Sequence, residues 1–206
     1  LAAVLEQPAA LSGQLAAKAT FARNANGAIT AEASATLPRM SMKLDPGSER
    51  ALLDLSDVQL NAALDPAQAR VRLDAVASDS GHIRANLAME TPMQDDGALA
   101  GQVDLLLPDL LVLELFTDQV VDPLGRVEGR LVIGGMRSAP QLDGALDLVD
   151  FSAELPALGI APREGRITLS SSNAREAQLA GSLLLGEGRV AIDGRFDLAA
   201  EGGPSG

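Results

Sequence analysis

Catalysis needs a titratable or nucleophilic group tuned by its neighbours, and this sequence offers few. His82 is the single histidine. It stands next to Gly81 at the start of an alternating segment and reads as an ordinary surface residue. With no cysteine and no Glu-x-x-His spacing, neither thiolate nor histidine metal sites can be composed. Asp95-Asp96-Gly97 brings two carboxylates together, but a hairpin turn accounts for that composition. Ser170, Ser171 and Ser172 lack the Gly-x-Ser-x-Gly elbow and a base to activate them. Gly186-Glu187-Gly188 precedes a strand pattern, so no helix N-terminus stands behind it to hold a phosphate. The expectation is a chain that is no enzyme and takes no metal or cofactor.

The composition narrows the partners. Among 206 residues, 28 are acidic and 16 basic, a net charge of −12. That is the wrong sign for neutralising phosphate backbones, so nucleic acid is not expected. Hydrophobic residues make up 47% of the chain, yet the only aromatics are Phe21, Phe116, Phe151 and Phe196. The apolar surface is therefore aliphatic. The longest apolar stretch, Leu110 to Phe116, is interrupted by Glu114 and is too short to span a bilayer as a helix. The start at Leu1 and the Gly202-Gly203-Pro204-Ser205-Gly206 end read as a piece of a longer protein, a single elongated β-domain over 1–206 with a flexible tail at 199–206.

The elements that must position any site show a period of two, the mark of strands with one buried face. Leu11, Leu15, Ala17, Ala19 and Phe21 alternate with polar residues. Asn26-Gly27 then predicts a two-residue type I′ hairpin turn, and Ile29 to Leu37 return. Similar segments follow through Met40 to Leu44, Leu53 to Leu64, Val71 to Ala75 and Ile83 to Met89. In the second half the predicted strands are 99–107, 127–133, 142–148, 165–169, 178–185 and 190–198. Residues 1–10 and 109–121 are predicted as short helices, the second bracketed by Pro108 and Pro123.

A glycine followed by apolar residues two and four positions later recurs at Gly101, Gly129, Gly144, Gly181 and Gly194, and more weakly at Gly13. Such glycines share the apolar face and mark bends or close backbone approaches. The predicted fold is all-β, an elongated curled antiparallel or mixed sheet forming a trough with a hydrophobic concave face. About a dozen strands at about 4.8 Å each would extend roughly 60 Å.

Alternation assigns to the apolar face Leu15 and Phe21; Ile29, Ala33, Leu37, Met40 and Met42; Leu55 and Leu60; Val71 and Leu73; Ile83 and Leu87; Leu99, Val103 and Leu105; Leu131 and Ile133; Leu146 and Leu148; Ile167 and Leu169; Leu183 and Leu185; and Val190, Ile192, Phe196 and Leu198. Periodicity alone leaves open whether this face fills a sandwich or barrel core or lines an open groove. Its many Ala and Gly residues would fill a self-packed core poorly, which favours the groove.

Gly125 to Ile160 reads GRVEGRLVIGGMRSAPQLDGALDLVDFSAELPALGI. With its G-x-L-x-[IL]-x-G strand, Ala139-Pro140-x-Leu142-x-Gly144 turn and Leu155-Pro156-x-Leu158-Gly159-Ile160, it resembles the carboxy-terminal half of the translocation and assembly module inner-membrane subunit (TamB) family, AsmA-like envelope proteins. Gln178 to Gly181 and Val190 to Gly194 continue the likeness, which is specific over about 97–198 and stylistic before that. The resemblance implies a β-taco trough in the periplasm of a Gram-negative bacterium, a parent anchored in the inner membrane, and an outer-membrane barrel partner (TamA-like). It also implies a role in phospholipid transport and outer-membrane biogenesis, with phospholipid as the bound partner. Two other expectations stand beside it: a strand-pairing assembly platform for outer-membrane proteins, and a self-packed structural β-domain.

Overall fold

The structure, a computed structural model, describes residues 10–43, 50–78, 80–94, 96–115, 117–171 and 176–197. Twelve strands follow one another: β1 (Ala10–Gly13), β2 (Ala16–Arg23), β3 (Ile29–Lys43), β4 (Leu53–Leu64), β5 (Gln68–Ala77), β6 (Gly81–Glu90), β7 (Leu99–Leu107), β8 (Val121–Met136), β9 (Ala139–Glu154), β10 (Pro162–Ser171), β11 (Glu176–Leu185) and β12 (Gly188–Asp197). They form one antiparallel sheet whose order from β3 to β12 is the order of the chain, with β1 and β2 both paired to β3 at one edge and β12 at the other. The edges do not meet, so the sheet is open and not a barrel. Because β1 and β2 share one edge position, there are ten inter-strand spacings, about 48 Å at about 4.8 Å each.

The two rims of this sheet differ. At the first, where the even-numbered strands from β4 onward begin, pairing slips at β4–β5, β8–β9, β9–β10 and β10–β11. Asp57, Asp122, Asp150 and Glu164 have positive φ there, the conformation of residues inside bulges, which bend a strand and raise its twist. Residues 111–115 and 156–158 form 3-10 turns at this bulged rim. The opposite rim is closed by tight turns and has unbroken registers among the described residues. Asp65 Oδ1 caps one of them by accepting the N–H groups of Ala67 and Gln68 at 2.7 and 2.8 Å.

Several expectations are corrected by this architecture. The first hairpin closes at Arg23–Ile29, over a loop of residues 24–28 in place of an Asn26-Gly27 type I′ turn. Asn24 Oδ1 accepts from the N–H groups of Asn26 and Ala28, and only Gly27 takes a positive φ. A side-chain-capped loop thus outcompetes the shorter turn. Two-residue turns are found instead at Arg137-Ser138, between the partners Met136 and Ala139, and at Gly186-Glu187, between Leu185 and Gly188. The helix expected at 109–121 is a five-residue 3-10 turn, Leu111–Leu115, and Pro123 lies within β8. β8 and β9 run longer than the alternation suggested, because their bulges reset the period. Residues 1–9 of the first expected helix and the 199–206 tail lie outside the described residues.

Candidate functional site

Directly paired residues in an antiparallel sheet share a face, so register carries a face from strand to strand. One row runs Phe21, Ala31, Leu64, Ala69, Met89, Leu99. The next runs Ala33, Ala62, Val71, Leu87, Gly101, Ile133, Leu142. A third crosses from Ala35 through Leu60, Leu73, Ala85, Val103, Leu131, Gly144, Ser171 and Ala177 to Phe196. A fourth joins Ala75, Ile83, Leu105, Gly129, Leu146, Leu169, Leu179 and Gly194. A fifth joins Leu107, Val127, Leu148, Ile167, Gly181 and Ile192, with Leu183 facing Val190 and Pro162 facing Leu185 beyond it.

Near β3 the parity shifts by one at Pro38 and Asp57. Leu37 pairs Val58, whereas Met40 pairs Leu55 and Leu55 pairs Ala77. The shift keeps Met40, Met42 and Leu55 on the face of Leu37 and Leu60, and Ile29 stands two residues before Ala31 on that face. Leu15 lies in the break between β1 and β2 and is 64% exposed. Leu198 lies outside the described residues. Register adds Leu64, Met89, Leu107, Val127, Leu142 and Leu179 to this face. The same alternation carried to the strand ends finds them.

The glycines sit where neighbouring side chains are bulky. Gly101 stands between Leu87 and Ile133, Gly129 between Leu105 and Leu146, and Gly181 between Ile167 and Ile192. A Cβ on Gly101 would come within 2.6 Å of the Asn86 carbonyl oxygen, and one on Gly129 within 2.9 Å of Leu146 Cα. Gly144 has φ +131°, which side chains disfavour. At these positions the neighbouring strand's backbone leaves no room for a side chain.

Little covers it. The buried hydrophobic residues are Leu52, Ala75, Ala77, Leu110, Val149, Ala153 and Ala177, while Phe21 remains 69% exposed and Leu60, Val71, Leu87 and Leu169 are exposed too. The self-packed sandwich or barrel therefore gives way to an open sheet with an aliphatic face.

The opposite face is polar and internally paired. Arg72 Nε donates to Asp74 at 2.7 Å, and this bond holds the Asp74 carboxyl below its usual range. Asp104 is hydrogen-bonded to His82 and accepts from Arg130 Nη2 at 2.6 Å. These partners, His82 first and Arg130 second, lower its pKa. Arg126 bridges Glu128 and Asp150 at 3.2 and 3.0 Å. His82, expected as a surface residue, belongs to this ladder with a side chain 25% exposed. Asp96, from the acidic turn, accepts from both the N–H and Oγ of Ser138, joining two turns. Ser171 Oγ donates to the Glu176 carbonyl. Each of these groups has a local structural partner. Among the described residues no cluster of His, Cys, Asp or Glu is arranged to hold a metal, and no helix is long and apolar enough to cross a membrane.

Fold and surface together define a class: an open β-meander, one face an aliphatic sheet without a covering layer, the other a solvated ionic ladder. The family model described as TamB, N-terminal domain matches residues 1–148, and the chain belongs to the TamB family. No curated protein and no solved structure gives a match. The match corrects the assignment to the carboxy-terminal half, because it is the amino-terminal domain that matches. It also covers the first 96 residues, where the likeness had been only one of style. Alternation without distinctive Gly-Pro punctuation hid the relationship there.

Proposed function

We propose that the aliphatic face receives lipid acyl chains, making this chain one section of a periplasmic bridge that moves phospholipid between the inner and outer membranes. The observation that carries the reading is the register: aliphatic residues from every strand fall on one face and stay largely uncovered. An acyl chain gains about 0.8 kcal/mol per CH₂ moved out of water, and a continuous Leu, Ala, Val and Ile surface lets it slide between equivalent positions. The role proposed is carriage, which asks for no covalent step. Membership of the TamB family supports the remaining parts of the proposal: a parent anchored in the inner membrane, a TamA-like barrel partner and a part in outer-membrane biogenesis.

A photo-crosslinker at Leu131, Leu146 or Leu183 should capture phospholipid in cells, while one at Arg130 or Asp147 on the ionic face should not. Equal adducts on both faces would sink the reading. A second reading, strand pairing with unfolded outer-membrane proteins, draws on the edges: every residue of β2 is exposed, and an uncovered edge invites another strand. Capture of nascent barrel chains that survives polar substitutions across the aliphatic face would favour it.

A further inference from the structure

One stretch of the aliphatic face is already occupied. Ala75 and Ala77, at the bulged-rim end of β5, are 6% and 0% exposed, although Val71 on the same strand and face is 43% exposed. The cover is therefore local. Leu110, 1% exposed, and Leu52, 2% exposed, belong to two of the connections at this rim, those between β7 and β8 and between β3 and β4. Gly81 pairs Ala77, and a Cβ built on Gly81 would point at Pro108 Cδ from 2.5 Å. Pro108 therefore lies on the aliphatic side of the sheet, and the Ser78–Asp109 and Arg50–Glu114 bonds carry the segment that follows it back toward the ends of β5 and β4.

This strap is held by polar ties on its outside. Arg50 reaches Glu114 at 3.4 Å and Asp122 at 2.8 Å. Glu114 also accepts the Asp122 N–H at 3.0 Å, and Ser78 Oγ donates to Asp109 at 3.1 Å. The Arg50 and Asp122 side chains are 44% and 65% exposed while Glu114 is 13% exposed, so the ties meet solvent on the Arg50 side and are responsive to salt there. The combination is an apolar plug fastened by breakable bonds.

We propose that residues 108–115 are a displaceable strap, with Leu110 and Leu52 standing in for an acyl chain, and that release of the Arg50–Glu114 tie opens the floor around Ala75 and Ala77 to lipid. The inference rests on the lipid-carrying reading. It adds that access is graded along the trough, restricted at β4–β6 and open elsewhere.

The test compares the wild-type chain with Glu114→Gln and Leu110→Ser, using a long-chain fluorescent fatty acid as probe and hydrogen–deuterium exchange as readout. Glu114→Gln should speed exchange at 109–115 by about fivefold, the upper end for a surface ion pair, because the Glu114 side chain is 13% exposed. Added probe should then protect the ends of β5 and β6 in both variants but not in the wild type. If the wild type binds probe along β7–β12 and neither variant gains protection at β5 and β6, the strap is only structural and the inference fails alone. If no protein binds the probe, the lipid-carrying reading fails and takes the strap with it. Glu114→Gln leaves the apolar cover intact, so it remains informative should Leu110→Ser not fold.

Discussion

The bulged rim and the turn rim of this sheet are built from the same strands, yet they solve opposite problems. At the bulged rim Asp57, Asp122, Asp150 and Glu164 take left-handed conformations, registers slip, and Leu52 and Leu110 bury themselves with Ala75 and Ala77. At the turn rim, described connections such as 24–28, 65–67 and 137–138 are short and capped, and Phe21 and Val71 stay exposed. The first rim gives up regular pairing and gains curvature and local cover. The second keeps regular pairing and leaves the aliphatic face accessible. The difference shows that most of the buried side chains of this single-layer sheet gather where its strands stop being regular, with Ala177 on β11 the exception among the described residues.

The sharpest way to break this contrast is at Gly81. Its missing Cβ is the space that the Leu106 backbone and Pro108 fill, so Gly81→Val should cost more than about 3 kcal/mol and leave little folded protein in a denaturant titration. Leu110→Ala, at a site 1% exposed, should cost about 2–4 kcal/mol. Phe21→Ala on the open face should cost less than about 0.5 kcal/mol. Equal losses from these two by chemical denaturation would erase the distinction between rims.

Relief of strain should act in the other direction. Glu164→Gly replaces a side chain at φ +50° and should gain about 1 kcal/mol. At the turn-rim end of β8, Gly134 has open space around an added Cβ, and Gly134→Ala should gain about 0.5 kcal/mol. Thermal melts of both variants check the signs.

The smallest expected effect is electrostatic. The N–H and hydroxyl of Ser138 hold the Asp96 carboxyl below the usual range. A lowered folded-state pKa stabilises fully above the unfolded carboxylate value of about 3.9 and is lost as pH falls through the folded value. Ser138→Ala should therefore lower the stability of the turn rim slightly at neutral pH, and the difference from wild type should vanish as pH falls through the folded-state value. An acid titration followed by exchange at 96–98 and 137–139 measures this.

Much of the architecture was legible in the sequence because a period of two is a direct image of a pleated strand. β7 follows its predicted bounds of Leu99–Leu107, and the alternating positions of described strands fall on one face. The limits of that legibility are physical. A bulge resets the period, so β8 and β9 read as shorter than they are, and a positive φ at Asp150 or Glu164 leaves no mark in residue type. Asn24 outweighed Asn26-Gly27 through side-chain bonds that a turn motif does not encode. The strap was visible as a proline-flanked apolar run, but nothing local said that it would fold back over Ala77.

From β4 to β12 every strand pairs only with its neighbours in the chain. Such a molecule has no long-range closure to make. Each added hairpin can fold on the one before it, as in repeat proteins whose units contact only adjacent units, and loss of a terminal strand leaves the interior pairs intact. The mechanical corollary is directional. Tension along the row of strands loads the pairs in series, one ladder after another, so a section pulled from its edges should yield in single-strand steps and not in one cooperative rupture.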